Sequence, residues 1–247
     1  MTLDIANLTE RDIAKAIDHS LLRPELTDQQ VEDGCRLAAR YDVASVCCRP
    51  ADVRRARAIL AGTDVAVGTT IGFPHGNHRT EVKVDEARRA LEDGASELDM
   101  VLQIGALKSG RDADVQADIA AVVEVAHATG AIVKVIFENA YLTEDEKVRA
   151  CHLAEAAGAD FVKTSTGFAP SGATHADLAL MRANTSPHVQ VKAAGGVRTL
   201  DALLAVMELG TTRIGATATE TIIEDFRARK SGLAAAGTGS ARLEGGY

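Results

Sequence analysis

This 247-residue sequence predicts a (β/α)8 TIM barrel of the α/β class, preceded by a short extra N-terminal helix. Three observations carry that expectation. Eight short apolar runs read as buried parallel strands. Amphipathic stretches of helical period separate them. The alternation repeats roughly every 22 to 36 residues with no long linker. A doubly wound sheet is the competing architecture. Against it, the first βα turn has no G-x-G-x-x-G fingerprint, and no charge run or composition shift marks a second domain.

The elements follow in order. A helix over about Thr9 to Ala16 opens the chain, and the strands are Ile17–Leu22, Ala44–Cys48, Val65–Ile71, Ser96–Val101, Ile132–Phe137, Phe161–Ser165, Val189–Ala193 and Thr212–Ala216. Helical stretches between them include Asp28–Tyr41, Arg79–Asp93, Asp112–Thr129, Glu144–Ala157, His175–Ala183 and Leu200–Leu209. Thr27 and Thr143 stand where N-caps belong, and Thr143 to Glu146 spells a capping box. Glycines at 158 and 210 close helices before the next strand. Residues 1–230 thus read as one domain, and 231–247, rich in Gly, Ala and Ser, as a mobile tail.

Composition narrows the functional classes. The chain is 46% hydrophobic with no Trp, five Phe and three Tyr, so its core draws on small and branched aliphatics. A formal net charge of −8 leaves no basic stripe for nucleic acid, though a small phosphorylated ligand remains compatible with it. Cys35, Cys47, Cys48 and Cys151 form no disulfide framework or zinc pattern. Residues 1–10 lack a signal-peptide core and no apolar run approaches a membrane span, so a soluble, cytoplasmic protein is expected.

Two lysines carry the chemistry. Lys163, in the run Phe161-Val162-Lys163-Thr164-Ser165-Thr166-Gly167-Phe168, and Lys192, in Val191-Lys192-Ala193-Ala194-Gly195-Gly196-Val197, each sit near the end of an apolar strand followed by a glycine-bearing loop. An amine with a pKa near 10.4 is only about 0.04% neutral at pH 7. Burial and a second cation both favour the neutral form, which attacks carbonyls. Asp99, in Glu97-Leu98-Asp99-Met100-Val101, is a third ionisable group at the same rim. Taken singly, each has an ordinary explanation: a lysine reaching to solvent, an ion-paired lysine, a helix-capping aspartate. Together, three such groups in strand cores point to Schiff-base chemistry. Asp18, Lys134 and Cys47 are read as supporting residues.

The loops after the last strands add a phosphate site. Gly195 and Gly196 follow strand seven, while Gly215 and Thr217 follow strand eight. Barrels commonly place phosphates there, on backbone N–H groups and a helix N-terminus. Thr166 and Gly167, after strand six, join this substrate-binding set. His75 and His78 lie in a loop without a convincingly spaced carboxylate partner, so it reads as a lid or interface feature. An amine mechanism requires no metal, and no cofactor is expected.

These runs resemble the deoxyribose-phosphate aldolase family over nearly the whole chain. The specific segments are Gly72-Phe73-Pro74-His75-Gly76, Glu97 to Val101, Phe161 to Phe168 and Val191 to Arg198, in that order. The resemblance implies a class I aldolase reversibly splitting 2-deoxy-D-ribose 5-phosphate into acetaldehyde and D-glyceraldehyde 3-phosphate, in deoxyribose phosphate catabolism. It also implies Lys163 as the Schiff-base lysine, with Asp99 and Lys192 as proton donors and acceptors; the assembly stays open between a homodimer and a homotetramer. The chain departs from the pattern with Thr217 and Ala218 where the family commonly has serines, and with Ser20 where Thr is usual. Tyr247, at the chain end, is a candidate mobile proton relay. Two other readings stay open: another Schiff-base barrel, transaldolase-like or ketose-bisphosphate, and a non-catalytic phosphate-binding barrel.

Overall fold

The computed structural model describes residues 5–232 and 243. A short helix, α1 (Glu10–Ala14), precedes strand β1 (Ile17–Leu21), and the chain then alternates: α2 (Asp28–Arg40), β2 (Ser45–Cys48), α3 (Val53–Ile59), β3 (Ala66–Ile71), α4 (Thr80–Glu92), β4 (Glu97–Val101). The second half runs α5 (Ile104–Lys108), α6 (Asp112–His127), β5 (Ile132–Ile136), α7 (Glu144–Ala156), β6 (Phe161–Lys163), α8 (His175–Ala183), β7 (Gln190–Ala194), α9 (Leu200–Glu208), β8 (Thr211–Ala216) and α10 (Thr219–Lys230). All neighbouring strands pair in parallel, and β8 returns to β1, closing the barrel.

Helix starts follow the side chains present. Thr9, Thr27 and Thr143 each complete a capping box, with Asp12, Gln30 and Glu146 respectively. Thr174 and Thr199 cap α8 and α9 by accepting from the Asp177 and Ala202 amides. Strand six is shorter than the apolar run predicts. It ends at Lys163, although Thr164 still donates its amide to the Lys192 carbonyl at 3.2 Å and accepts from the Asn139 amide at 3.0 Å. Helices α3, α5 and α10 were not in the predicted set; α3 and α5 are under two turns or little more, and their apolar pattern is too brief to read.

Period-two alternation sorts each strand into an aliphatic face and a polar one. Leu98, Met100, Val133, Val135, Val162, Val191 and Ala193 are fully buried against the helices. The residues between them, Glu97, Asp99, Lys134, Lys163 and Lys192, point the other way. An ion pair from Arg213 on β8 to Glu97 on β4, at 2.6 Å, spans strands on opposite sides of the barrel. Such a contact has to cross the interior. Barrel interiors are commonly layered with branched aliphatics; this one is filled with charge.

Candidate active site

Lys163 and Lys192 are register partners on adjacent strands, and Asp99 on β4 is the register partner of Lys134 on β5. Lys134 is opposite Phe161 and Lys163 opposite Ile136, so the two pairs are offset by two residues along the strands, and the side chains meet across the interior from four strands. Asp99 is fully buried and ties them together: Oδ2 accepts from Lys163 Nζ at 2.7 Å and from Lys192 Nζ at 2.8 Å, while Oδ1 accepts from Lys134 Nζ at 2.8 Å. Lys192 also pairs with Asp18 at 2.5 Å, and Lys134 with Glu97 at 2.6 Å. Arg213 closes the network by donating to Asp18 and Glu97.

Environment splits the two rim lysines. Burial pushes both amines toward the neutral form. For Lys163 the net shift is downward, because burial and the nearby Lys192 charge outweigh the pull of Asp99. For Lys192 the net shift is upward, because Asp18 and Asp99 together outweigh the burial. Burial alone would raise Asp99, yet Lys134, Lys163 and Lys192 hold its carboxyl well below the usual range. The site thus presents a weakened cation, a firm cation and a firm carboxylate around one oxygen. Charge repulsion from Lys192 acts on Lys163 as the sequence predicts, but burial is the larger cause.

Above this cluster opens a cavity of about 510 Å³, lined by Asp18, Cys47, Lys163 and Lys192 at its floor and by Thr166, Gly195, Gly196, Gly215 and Thr217 along one wall. The predicted phosphate set therefore converges there, with one exception: Gly167 stands outside the lining. Its neighbour Thr166 differs from expectation too. Thr166 Oγ1 donates to Glu138 and accepts from the Phe168 amide at 3.0 Å, so its hydroxyl already has both partners. Gly195 is required for a different reason than flexibility alone. Its φ is +78°, and a Cβ there would meet Gly172 Cα at 2.8 Å, where the loops after β6 and β7 touch backbone to backbone.

The residues read as supporting lie in or beside this cluster. Asp18 and Lys134 belong to the ion cluster, while Cys47 Sγ lies 4.0 Å from Asp99 Oδ2 with its thiol pushed up to about 11 by burial. His19, which also lines the cavity, is pushed down to about 4 by burial and bonds Thr219 at 2.9 Å through Nδ1. Sequence reasoning missed His19, Glu97, Glu138 and Arg213 as members of the site. For Glu97 the signal existed, since it sits two residues before Asp99 on the same strand face. Glu138 had none: it is a buried carboxylate in left-handed backbone at φ +59°, accepting the Thr166 amide at 3.2 Å. His75 lines a second, smaller cavity with Glu138, Tyr141, Thr166 and Phe168. No group of three or more His, Cys, Asp or Glu suited to a metal ion occurs among the described residues. None of their helices is long and apolar enough to cross a membrane. Tyr247 lies outside the described residues.

Fold and site together define a class: a parallel α/β barrel with a paired-amine pocket at the C-terminal ends of its strands. The family profile described as DeoC/LacD family aldolase matches residues 12–235, and the chain belongs to this family. A curated relative from Thermococcus gammatolerans named deoxyribose-phosphate aldolase is 53% identical over 218 residues, 87% of this chain and 97% of the relative. One of the same name from a Geobacillus species is 51% identical over 215 residues, 87% of this chain and 96% of the relative. Among solved structures, a deoxyribose phosphate aldolase from Aeropyrum pernix, described as a unique tetramer, superposes with a TM-score of 0.83 at 30% identity. The match covers 90% of this chain and 93% of that one.

Proposed function

We propose that this chain is a class I aldolase that reversibly cleaves 2-deoxy-D-ribose 5-phosphate to acetaldehyde and D-glyceraldehyde 3-phosphate, with Lys163 as its nucleophile. The observation that carries the assignment of Lys163 is its position: a buried amine with a lowered pKa, at the floor of the cavity, sharing one carboxylate oxygen with a second lysine. Neutral Lys163 attacks C1 of the open-chain sugar, and loss of water gives a protonated imine. That iminium accepts the electron pair of the C2–C3 bond once the C3 hydroxyl proton is removed. Glyceraldehyde 3-phosphate departs, the resulting enamine is protonated at C2, and hydrolysis releases acetaldehyde.

Asp99 and Lys192 serve the proton transfers. Asp99 Oδ2 already bridges both amines, so a proton leaving Lys163 or the carbinolamine has a carboxylate at bonding distance and an ammonium beyond it. The substrate's phosphate sits against Gly195, Gly196, Gly215 and Thr217, where backbone donors supply what the missing serine hydroxyl does not. Residues 1–230 form this catalytic unit, working in the cytoplasm as a homodimer or homotetramer. Tyr247 acts as a further proton relay in this reading, and a truncation of the tail that retains full C2 proton exchange would rule that out.

Reductive trapping tests the central claim. Borohydride added with deoxyribose phosphate should leave a single adduct on the peptide containing Lys163, read by mass spectrometry. An adduct on another lysine, or none, would reject the assignment.

A further inference from the structure

Charge counting inside the barrel leads to one more residue. The contact cluster holds four cations, Lys134, Lys163, Lys192 and Arg213, against three carboxylates, Asp18, Glu97 and Asp99. Fully ionised, it carries one surplus positive charge in a buried space. With one amine neutral it carries none. A surplus buried charge is costly, and a titratable group relieves it by giving up its proton.

Contacts decide which amine yields. Lys134 meets Glu97, Asp99 and Asp18 at 2.6, 2.8 and 3.5 Å, and Lys192 meets Asp18 and Asp99 at 2.5 and 2.8 Å. Among the described residues Lys163 has one ion pair, to Asp99 at 2.7 Å. The guanidinium of Arg213 does not deprotonate. It engages Asp18 and Glu97 from β8, with its carbon Cζ 5.9 Å from the Phe161 ring centroid. Also facing Lys163 are the protonated Cys47 thiol and Glu138, beyond which stands His75.

We propose that Arg213 is a positioning residue whose fixed charge keeps Lys163 a free amine by occupying Asp18 and Glu97. This rests on the Schiff-base reading of Lys163 above. Without Arg213, three cations would face three carboxylates, and every amine would be retained as an ammonium. Lys134 would be drawn to Glu97 and Lys192 to Asp18, leaving Asp99 to rely on Lys163. The nucleophile would then be protonated at working pH although no group touching substrate had changed.

The experiment reads Lys163 directly. Trace acetic anhydride labels free amines, and mass spectrometry of the Lys163 peptide across a pH series gives its protonation midpoint with no aldehyde chemistry involved. Arg213→Gln should move that midpoint alkaline by about one pH unit, a tenfold loss of free amine on the acid side. Arg213→Lys should restore it, because the charge count returns. The double variant Arg213→Gln with Glu97→Gln should also lie near the parent, since one surplus cation is regained. Glu97→Gln alone should move the midpoint acid. An unmoved midpoint in folded Arg213→Gln, or a double variant shifted as far as the single, overturns the proposal. If Arg213→Gln does not fold, Glu97→Gln decides, and an unmoved midpoint there overturns it equally. A parent enzyme that labels at Lys163 with the expected midpoints but gives no borohydride adduct would instead sink the aldolase role of Lys163.

Discussion

Two buried lysines in this molecule look alike until their surroundings are compared. Lys83, on α4, is fully buried, bonds Asp118 Oδ2 at 2.6 Å and donates to the Val101 carbonyl at 2.8 Å. Burial lowers its pKa against the opposing charge of Asp118, as burial lowers that of Lys163 against Asp99. Yet Lys83 is sealed outside the barrel, between α4 and α6, with Thr80 and Gln103 also bonded to Asp118. Gly72, at φ +63°, makes room for its stem, since a Cβ there would meet Lys83 Cε at 2.9 Å. Lys163 faces an open cavity and a cluster with surplus positive charge. A lowered pKa is common to both buried amines, so what sets Lys163 apart is its access to the cavity and the charge imbalance around it.

Exchanging each lysine for methionine should separate the two most widely. Lys163→Met should lower turnover by about four orders of magnitude or more, because no covalent route remains. Its stability should hold or rise by about 1 kcal/mol, since the substitution removes an amine whose proton folding disfavours. The sign follows from linkage: a lysine whose folded pKa is depressed binds fewer protons folded than unfolded. Its penalty is complete below the folded pKa and fades as pH climbs toward the unfolded value. The melting advantage of Lys163→Met should therefore be larger at pH 6 than at pH 9. Lys83→Met should do the reverse, costing about 3 to 5 kcal/mol by stranding Asp118 while folded enzyme still turns over. Calorimetry with single-turnover assays checks both, and a Lys83 variant that folds normally but is inert would dissolve the distinction.

Next in size is the effect of Lys192. Its ammonium lowers Lys163 and shares Asp99 with it, so Lys192→Leu removes a repelling charge and frees a carboxylate for Lys163. Both changes raise the Lys163 pKa. Activity should fall about 100-fold at neutral pH and its acid limb should move alkaline, as followed by kcat/KM across pH. A lowered rate with an unmoved limb would confine Lys192 to proton transfer.

Most of the architecture was legible in the chain because the eight strands alternate with helices of readable period, and each predicted strand has its counterpart within a residue or two. Lys163, Lys192 and Asp99 were legible because charged residues interrupt apolar strands at the same end of the fold. Arg213 was not, because Thr211-Thr212-Arg213 reads as an exposed strand start, and only barrel closure brings it across to Glu97. Lys83 was hidden more deeply. Helix α4 reads Thr-Glu-Val-Lys-Val-Asp-Glu, an ordinary solvated face, and its burial depends on where α6 packs. Thr166 reads as a substrate ligand because it follows strand six at the rim, and its partner Glu138 comes from another loop altogether.

Thr166 sharpens the comparison at its smallest scale, since here a side chain lines the cavity yet serves the wall. Its hydroxyl donates to Glu138 and accepts from Phe168, and its amide also reaches Glu138. A phosphate ligand and a loop latch respond differently to substitution. Thr166→Ser keeps both hydrogen bonds, so KM for deoxyribose 5-phosphate should change less than about twofold. Thr166→Val and Glu138→Gln break the same latch from either side, so each should raise KM by about three- to tenfold, and the double variant should add little. Non-phosphorylated deoxyribose supplies the control. A latch that shapes the whole mouth weakens both substrates in proportion, whereas a direct phosphate contact at Thr166 would leave the non-phosphorylated sugar untouched.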